Sequence, residues 1–311
     1  MNASTKQLCT LAMAIILPLS GTVAAQDQAE PSILNVPAGI SHDSQWIYFM
    51  SLERQPKGGM VSQLLMMDQN GENIRTVPGM GVGAGWPIFT KDGKKAVLHQ
   101  DFGPQADLVL VTMKTPGILG DFTNLERLTL DPKEDYFAGW SPNERQITFY
   151  SNRSGSPQIY VMDLDSRVIT RLSQNEAREQ DPTWSTQGQI TFQSDVTGNW
   201  DVWAMNGDGT GRKNLTNHPG KDIFGAWSPD GEKLVFSSDR DGDEDLYIVN
   251  KDGSGITQLT NAPGVDHWPR WAPDGSYITF ERRIDGIGDA YRIAPDGSDE
   301  MRLTVGVSYQ R

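Results

Sequence analysis

A five-residue word, Trp-Ser-Pro-Asp-Gly, recurs along this chain and constrains its fold more than any other feature. The word is intact at residues 227–231, differs by one residue at 271–275, and is degraded at 140–144 and 184–188. Two weaker copies begin at residues 40 and 89. The first residues of the copies, here called the anchors, are Ile40, Phe89, Trp140, Trp184, Trp227 and Trp271, spaced 49, 51, 44, 43 and 44 residues apart. The chain therefore consists of six repeats.

Each repeat predicts four short strands. The first strand ends at the anchor, and a Pro-Asp-Gly turn leads to the second, as in residues 233–237. The third is an apolar run such as 245–249, and another Asp-Gly turn leads to the fourth, such as 257–260. Asp-Gly between alternating apolar runs is a strong hairpin signal. An apolar residue of the fourth strand precedes the next anchor by 12 residues in five cases: Val77, Leu128, Leu172, Leu215 and Leu259.

Four strands in about 44 residues is the period of a β-propeller blade. The sequence thus predicts an all-β fold, a six-bladed β-propeller of four-stranded antiparallel blades in residues 38–311, after an N-terminal segment at 26–37. We expect the anchor aromatics to be core residues wedged between blades. The last blade is expected to supply its own outer strand at 301–304, and residues 33–36 to pair as an extra strand that locks the ring.

Residues 1–25 have the features of a secretory signal peptide. Lys6 gives a positive start, residues 11–19 are apolar but too few to span a bilayer, and small residues precede position 26. An uncleaved membrane anchor is the alternative, and Pro18 within the run argues against it. Cleavage predicts a periplasmic or secreted mature chain without a transmembrane segment. It would also remove Cys9, the only cysteine, so no disulfide is expected.

The charge balance bears on possible partners. The chain has 27 Lys and Arg against 40 Asp and Glu, a net charge of -13. Removing residues 1–25 takes away Lys6 and no acid, which leaves 26 basic and 40 acidic residues, net -14. Such a field repels phosphate backbones and anionic lipid surfaces, so nucleic acid is excluded as an expected partner. We expect a monomer.

Several words of the repeats resemble those of a known family. The words are Trp-Ser-Pro-Asp-Gly, Phe-x-Ser-x-Arg-x-Gly, Asp-Leu-Tyr, and Asp-Gly-Ser followed by Leu-Thr. They resemble the repeats of the TolB-like, WD-type β-propeller family over residues 38–304, most specifically in the third to sixth repeats. Translocation proteins of that family carry an α/β domain before the propeller, for which the segment at 26–37 is too short. The resemblance implies a periplasmic propeller, with an envelope protein as a possible class of partner.

Loop lengths indicate which face of the propeller would be functional. The tight turns between first and second strands lie on one face, and the longer loops before the first strands lie on the other, where function is expected. Five residues before the anchor stand four acids: Asp135, Glu179, Asp222 and Asp266. Three residues before it stand Trp86, Phe137, Asp181, Phe224 and Trp268. The predicted ligand-binding residues, the four acids with Trp86, Phe137 and Trp268, would surround the channel mouth.

The ring permits several interpretations. Its carboxylates are able to accept bonds from loop backbone while the aromatics pack between blades. They are also able to attract a cation or a basic segment of a partner, to hold Ca²⁺, or to bind an oligosaccharide together with the indoles. The leading hypothesis is a non-catalytic binding or scaffold module that holds a protein segment or a cation at the channel mouth, with no certain cofactor.

An enzyme of another class is the alternative hypothesis. His99, His218 and His267 fall on the expected functional face, and Arg283 lies in one of its loops. A metal-dependent polysaccharide lyase of the oligogalacturonate type, whose members have similar propellers, requires clustered histidines and a cationic group for a uronate carboxylate. The net acidity argues against a polyuronate substrate. A distance comparison among these three histidines distinguishes the two hypotheses.

Overall fold

The computed structural model describes residues 33–54, 60–81, 83–103 and 105–305, which form 24 strands and no helix. The first repeat contains β1 (Ile33–Ile40), β2 (Trp46–Arg54), β3 (Met60–Asp68) and β4 (Arg75–Thr76). The second contains β5 (Gly85–Phe89), β6 (Lys95–Asp101), β7 (Ala106–Met113) and β8 (Phe122–Arg127). The third contains β9 (Asp135–Trp140), β10 (Gln146–Ser151), β11 (Gln158–Asp163) and β12 (Ile169–Arg171).

The remaining repeats follow the same order. The fourth contains β13 (Glu179–Trp184), β14 (Gln189–Ser194), β15 (Asp201–Asn206) and β16 (Lys213–Asn214). The fifth contains β17 (Asp222–Trp227), β18 (Lys233–Ser238), β19 (Asp245–Asn250) and β20 (Thr257–Gln258). The sixth contains β21 (Val265–Trp271), β22 (Ile278–Ile284), β23 (Ile287–Ile293) and β24 (Met301–Arg302). The first strand of every repeat ends at its anchor, as the sequence predicts.

Every repeat forms an antiparallel ladder in chain order. The second to fifth repeats are separate four-stranded sheets, whereas the first and sixth are joined in one eight-stranded sheet. The junction is short and parallel, because Ile33 and Leu34 pair with Ile287 and Gly288 of β23. The all-β prediction and the four-stranded antiparallel sheets are confirmed, and the arrangement is that of a β-propeller.

The two ends of the propeller meet partly as expected. β1 begins at Ile33, so the fold includes residues assigned above to the N-terminal segment. Residues 33–36 form the start of β1 and not a separate strand. Ile33 and Leu34 nevertheless pair with β23 of the sixth repeat, the kind of contact expected to lock the ring. The outer strand β24 pairs with β23 of its own repeat, as expected. Two further hydrogen bonds join the first and sixth repeats. The Asp274 N–H donates to the Ser44 hydroxyl oxygen at 3.2 Å, and the Tyr277 hydroxyl donates to the Ser44 carbonyl at 2.9 Å.

The recurrent word is explained by the turn it forms. In the fifth repeat the Asp230 carboxylate accepts bonds from the Ser228 hydroxyl, at 2.5 Å, and from the Glu232 N–H, at 3.0 Å. Gly231 has φ 73°, a left-handed conformation that glycine adopts without strain. Thr90 and Asp92 repeat the hydroxyl contact at 2.8 Å. Each Asp-Gly turn is therefore a self-contained hydrogen-bonded unit that sets the register of its hairpin.

The predicted signal segment lies outside the described residues. Within the described part of the chain, no helix has the length and hydropathy needed to cross a bilayer.

Candidate functional site

The central cavity of the propeller has a volume of about 460 Å³. Its wall uses the same two positions of every repeat, the anchor and the residue before it. The residues before the anchors are Gly39, Ile88, Gly139, Thr183, Ala226 and Arg270. The anchors themselves also line the cavity. Ile40 and Trp227 are 8% exposed and belong to the core, as expected, whereas Phe89, Trp140, Trp184 and Trp271 are half-buried. The Trp140 Nε1–H donates to the Ile88 carbonyl at 2.8 Å.

The cavity opens on the face opposite to the one expected from loop length. Its rim is formed by turns between first and second strands, including His42, Lys91, Glu144 and Thr186. The other end is closed by side chains three residues before the anchors. The position three residues before the anchor is aromatic in four repeats, whereas the position directly before the anchor is glycine, alanine or threonine in four, so the open space lies at the anchor end.

Four aromatic rings close that end of the channel. The Trp86 and Phe137 ring centroids are 4.5 Å apart, those of Phe137 and Trp268 are 5.4 Å apart, and those of Phe224 and Trp268 are 3.7 Å apart. The four side chains are only 3–8% exposed. Trp86, Phe137 and Trp268 were predicted ligand residues at an open mouth; the structure places them in a packed layer.

A backbone irregularity places this layer in the channel. The residue three before the anchor has φ between 50° and 58° in five repeats, and the pairing register shifts there. A bulge of this kind re-aims a side chain that would otherwise lie between sheets. The first repeat has Pro37 at this position, whose ring excludes a positive φ. The same left-handed position in the fourth repeat carries Asp181 instead of an aromatic residue.

Asp181 is the exception in the aromatic layer. Its side chain is 7% exposed, and neither Oδ1 nor Oδ2 has a hydrogen-bond partner in the described part of the chain. Burial raises the pKa of Asp181 to about 7, and the positive charge of Arg270 offsets part of the increase. A small space of about 20 Å³, lined by both residues, separates the aromatic layer from the open cavity. A volume of this order accommodates one water molecule.

Arg270 lies on the cavity side of that space. It lines both the small space and the open cavity, and its Nε has no hydrogen-bond partner among the described residues. Burial lowers the pKa of Arg270 to about 10, with Asp181 acting in the opposite direction, so the guanidinium stays charged at neutral pH. Sequence reasoning missed this residue. The available signal was its size, since the equivalent positions hold glycine, alanine, threonine or isoleucine.

The four predicted carboxylates are placed differently from an open acidic ring. Asp135, Glu179, Asp222 and Asp266 are 0% exposed, and each forms an ion pair with an arginine of its own repeat. Arg153 and Arg240 each bind their partner through both carboxylate oxygens at 2.9–3.0 Å. Arg282 binds Asp266 with two bonds of 2.7 Å. The fourth pair joins Arg212 to Glu179.

The arginines come from three different positions of the repeat. Arg153 and Arg240 follow the second strand, Arg282 lies within it, and Arg212 precedes the fourth strand. Each guanidinium also lies over the aromatic rings of the second and third strands. The arginine-to-centroid distances are 5.3 and 5.1 Å for Arg153, 4.7 and 5.9 Å for Arg212, 5.2 and 4.9 Å for Arg240, and 5.2 and 5.0 Å for Arg282. The acids therefore act within the blades.

The predicted histidines have separate partners. His99 packs on Trp86 and Tyr136, and burial lowers its pKa to about 3. The His218 Nδ1 accepts a hydrogen bond from the Gly220 N–H at 3.0 Å. His267 Nε2 contacts the Glu244 carboxylate. Burial works to raise the pKa of Glu244, but His267 and Lys221 outweigh it and lower the pKa to about 2.

Arg283, the remaining member of the predicted lyase set, pairs with Glu281 at 3.0 Å. In the described ranges, no group of three or more His, Cys, Asp or Glu side chains is placed to hold a metal ion. The structure therefore does not bring His99, His218 and His267 together as ligands of one metal.

The sheets and their shared central cavity define a β-propeller, and comparison with known proteins identifies the kind. The family model for the TolB beta propeller domain, PD40, matches residues 43–218 and 209–311. These matches cover most of the sequence. The chain therefore belongs to the TolB β-propeller domain family.

Individual relatives agree with this assignment. The chain is 36% identical over 110 residues to an uncharacterised protein of Agrobacterium fabrum, covering 35% of this chain and 38% of the relative. It is 29% identical over 119 residues to a TolB homologue of Chlorobium luteolum, covering 38% of this chain and 26% of the relative. The matches thus span well under half of either relative.

A solved structure shows the same fold over nearly the whole chain. The crystal structure of TolB from Acinetobacter baumannii superposes with a TM-score of 0.67 at 21% identity, covering 94% of this chain and 68% of that one. At this identity the likeness establishes the fold alone.

Proposed function

We propose that this protein is a periplasmic, six-bladed TolB-like propeller that acts as a non-catalytic binding module and holds a segment of an envelope protein in its central cavity. The blade count treats the first and sixth repeats as separate blades joined by the two-residue contact of β1 and β23. Membership of the TolB propeller family and the signal-like residues 1–25 support the location.

The observation that carries the proposal is the construction of the cavity wall. A space of about 460 Å³ lies within the range of about 300–1,000 Å³ typical of ligand pockets. The half-buried indoles of Trp140, Trp184 and Trp271 offer apolar contact, and the Arg270 guanidinium is the charged group of the wall itself. The rim adds the charges of Lys91 and Glu144. Aromatic side chains with a polar edge are typical of recognition surfaces.

The backbone of the first strands favours a peptide as the ligand. The strands β5, β9, β13, β17 and β21 each stand at the end of their sheet, with one ladder neighbour in the described part of the chain. End strands in general present unpaired N–H and C=O groups to an extended segment. Some of these groups already have side-chain partners here: the Ile88 and Gly225 carbonyls and the Phe224 N–H. An oligosaccharide is a second ligand class that indoles accommodate, but no observation favours it over a peptide.

Two threonine substitutions test which face binds the partner. Thr186 is exposed on the cavity rim, and Thr197 is exposed in the loop after the second strand of the same repeat, on the opposite face. Thr186→Trp narrows the cavity entrance, whereas Thr197→Trp makes the same chemical change away from it.

Affinity capture from an envelope extract, followed by a direct binding titration of the captured protein, supplies the measurement. We expect the wild-type protein and Thr197→Trp to bind equally and Thr186→Trp to bind at least about tenfold more weakly, since a central contact is blocked. Loss of binding with Thr197→Trp and retention with Thr186→Trp would place the function on the other face. Circular dichroism confirms that both variants are folded.

Two earlier expectations stay predictions. Calcium binding by Asp135, Glu179, Asp222 and Asp266 would compete with the four arginines that their oxygens already bind. Lyase activity with His99, His218, His267 and Arg283 has no shared site in the described residues to support it.

A further inference from the structure

Asp181 and Arg270, two buried charged residues with unpartnered polar atoms, line the same small space at the bottom of the central cavity. Neither carboxylate oxygen of Asp181 has a hydrogen-bond partner among the described residues, and the Nε of Arg270 is also buried without one. Unpartnered buried polar atoms cost free energy, so native proteins rarely retain them without a role. The two residues belong to the fourth and sixth repeats and do not form an ion pair.

Access to the two groups is unequal. Arg270 lines the open cavity, whereas Asp181 lines only the small space behind it and the aromatic layer. A ligand that enters from the turn face therefore reaches the guanidinium first. Arginine offers a planar fork of donors that matches a carboxylate in a bidentate arrangement. Gly39, Gly139 and Ala226, at the same position of other repeats, carry no large side chain into the cavity.

We propose that Arg270 binds the carboxylate of a peptide segment that enters the central cavity, and that Asp181 takes up one proton from solvent when it does. The inference rests on the proposed function and specifies the ligand chemistry of the same cavity. No covalent bond changes. The proton moves from solvent to a carboxylate oxygen of Asp181, and the site then holds one positive and one negative charge.

The proton uptake follows from the charges that surround Asp181. Among the described residues, Arg270 from β21 is the only cation that acts on it. The Tyr150 hydroxyl from β10 is neutral because burial raises its pKa well above 10.0. Behind the aromatic rings lie His99 of β6, which is neutral, and His267 of β21, which contacts Glu244. A second anion at Arg270 therefore opposes ionised Asp181 at short range in a site that little water reaches.

The protein's overall charge restricts the rest of the ligand. A net charge of -14 on the mature chain repels a polyanion, so the segment should carry one carboxylate on an otherwise neutral or basic sequence. The probe is an acetylated Lys-Ala-Ala peptide with a free C-terminal carboxylate. The same peptide with a C-terminal amide is the matched ligand control.

Nuclear magnetic resonance of the ¹⁵N-labelled protein measures the contact directly. The Arg270 Nε–H signal is identified by its absence from Arg270→Met. We expect the carboxylate peptide to shift this signal and to bind about tenfold or more tightly than the amide, because a charged hydrogen bond is lost in the amide. Arg270→Met and Arg270→Lys should both weaken the carboxylate peptide. Arg292→Met, at a partly exposed arginine outside the cavity, should not.

The pH dependence tests the role of Asp181. Wild-type affinity for the carboxylate peptide should rise as the pH falls from 8 to 6, across the pKa of about 7. Asp181→Asn should bind with a nearly constant affinity equal to the wild-type value at low pH. Calorimetry in buffers of different ionisation enthalpy should show proton uptake at pH 8 in the wild-type protein alone.

The outcomes separate the two proposals. Equal binding of the carboxylate and amide peptides in the cavity overturns the Arg270 inference and leaves the binding module intact. Absence of any shift at millimolar carboxylate peptide also overturns the inference. The proposed function fails on a separate observation: the captured partner binds Thr186→Trp as tightly as it binds the wild-type protein. If the affinity of Asp181→Asn for the carboxylate peptide still depends on pH between 6 and 8, proton uptake by Asp181 is overturned while the Arg270 contact stands.

Discussion

Two kinds of buried carboxylate in this protein differ in a single contact. Asp135, Glu179, Asp222 and Asp266 lie in the blades, are fully buried, and each binds a guanidinium. Asp181 lies in the channel, is 7% exposed, and has no hydrogen bond in the described residues. All five are buried on folding, but only the first four gain a charged protein partner. The paired acids therefore belong to the fold, and the unpaired acid is available for function.

The difference also explains why the acidic ring predicted from the sequence is not an open one. A carboxylate at a loop-facing position is equally compatible with solvent and with an internal arginine. The arginine follows its acid by 18 residues in two pairs but by 16 and 33 residues in the other two, so no single spacing reveals all four pairs. In three dimensions they converge on one arrangement, with the guanidinium between a carboxylate and two aromatic rings.

The largest loss of stability is expected from breaking a buried ion pair within a blade, that of Arg282 and Asp266. Arg282 is 4% exposed and bonds both Asp266 and Glu300. Arg282→Met should lower the free energy of unfolding by about 3–5 kcal/mol, because Asp266 is left as a buried, unpaired charge. Urea denaturation measures the loss. The double variant Asp266→Leu with Arg282→Met should recover much of it, and a loss below about 1 kcal/mol in the single variant would contradict a structural role.

A pH-dependent effect on the free energy of unfolding, of intermediate size, is expected from substituting Asp181. The native pKa of Asp181, about 7, lies above its ordinary value of 3.8, so the native state keeps a proton that the unfolded chain loses between these pH values. Stability therefore falls as the pH rises from about 4 to 7, because over that interval only the unfolded chain ionises Asp181. Relative to the wild type, Asp181→Asn should gain stability over that interval, on the order of 4 kcal/mol, and then level off.

Denaturation at several pH values measures this difference. Asp230→Asn is the control, because the Ser228 hydroxyl and the Glu232 N–H lower the pKa of Asp230, so its contribution is lost as the pH falls. If the difference in free energy of unfolding between Asp181→Asn and the wild type does not change with pH, Asp181 is solvated in the native state.

The smallest effect is expected at an exposed ion pair. Lys251 and Glu232 are 2.9 Å apart, but their side chains are 42% and 51% exposed. Lys251→Ala should change the free energy of unfolding by no more than about 1 kcal/mol, since exposed pairs are screened by solvent. Thermal or urea denaturation alongside Arg282→Met makes the comparison. If Lys251→Ala and Arg282→Met lose equal free energy of unfolding, burial does not determine how much an ion pair contributes to stability.

The sequence alone determined the architecture. The anchors, the Asp-Gly turns and the constant 12-residue spacing are local features, and hairpins form from local hydrogen bonds such as those of Asp230. The end of each first strand and the outer strand of the last repeat followed directly. The sequence placed the propeller at 38–311 and residues 33–36 in an extra strand, whereas in the structure β1 already begins at Ile33. Its first two residues pair with β23, a contact between residues far apart in the sequence that no local pattern specifies.

Only the tertiary structure decided which end of the channel is open and which charges are free. The aromatic column of Trp86, Phe137, Phe224 and Trp268 was visible in the sequence as a repeat position. That its rings meet and close the channel depends on first strands that are brought together only when the propeller closes. For the same reason Arg270 and Asp181, 89 residues apart in sequence, are recognised as neighbours only in the folded chain.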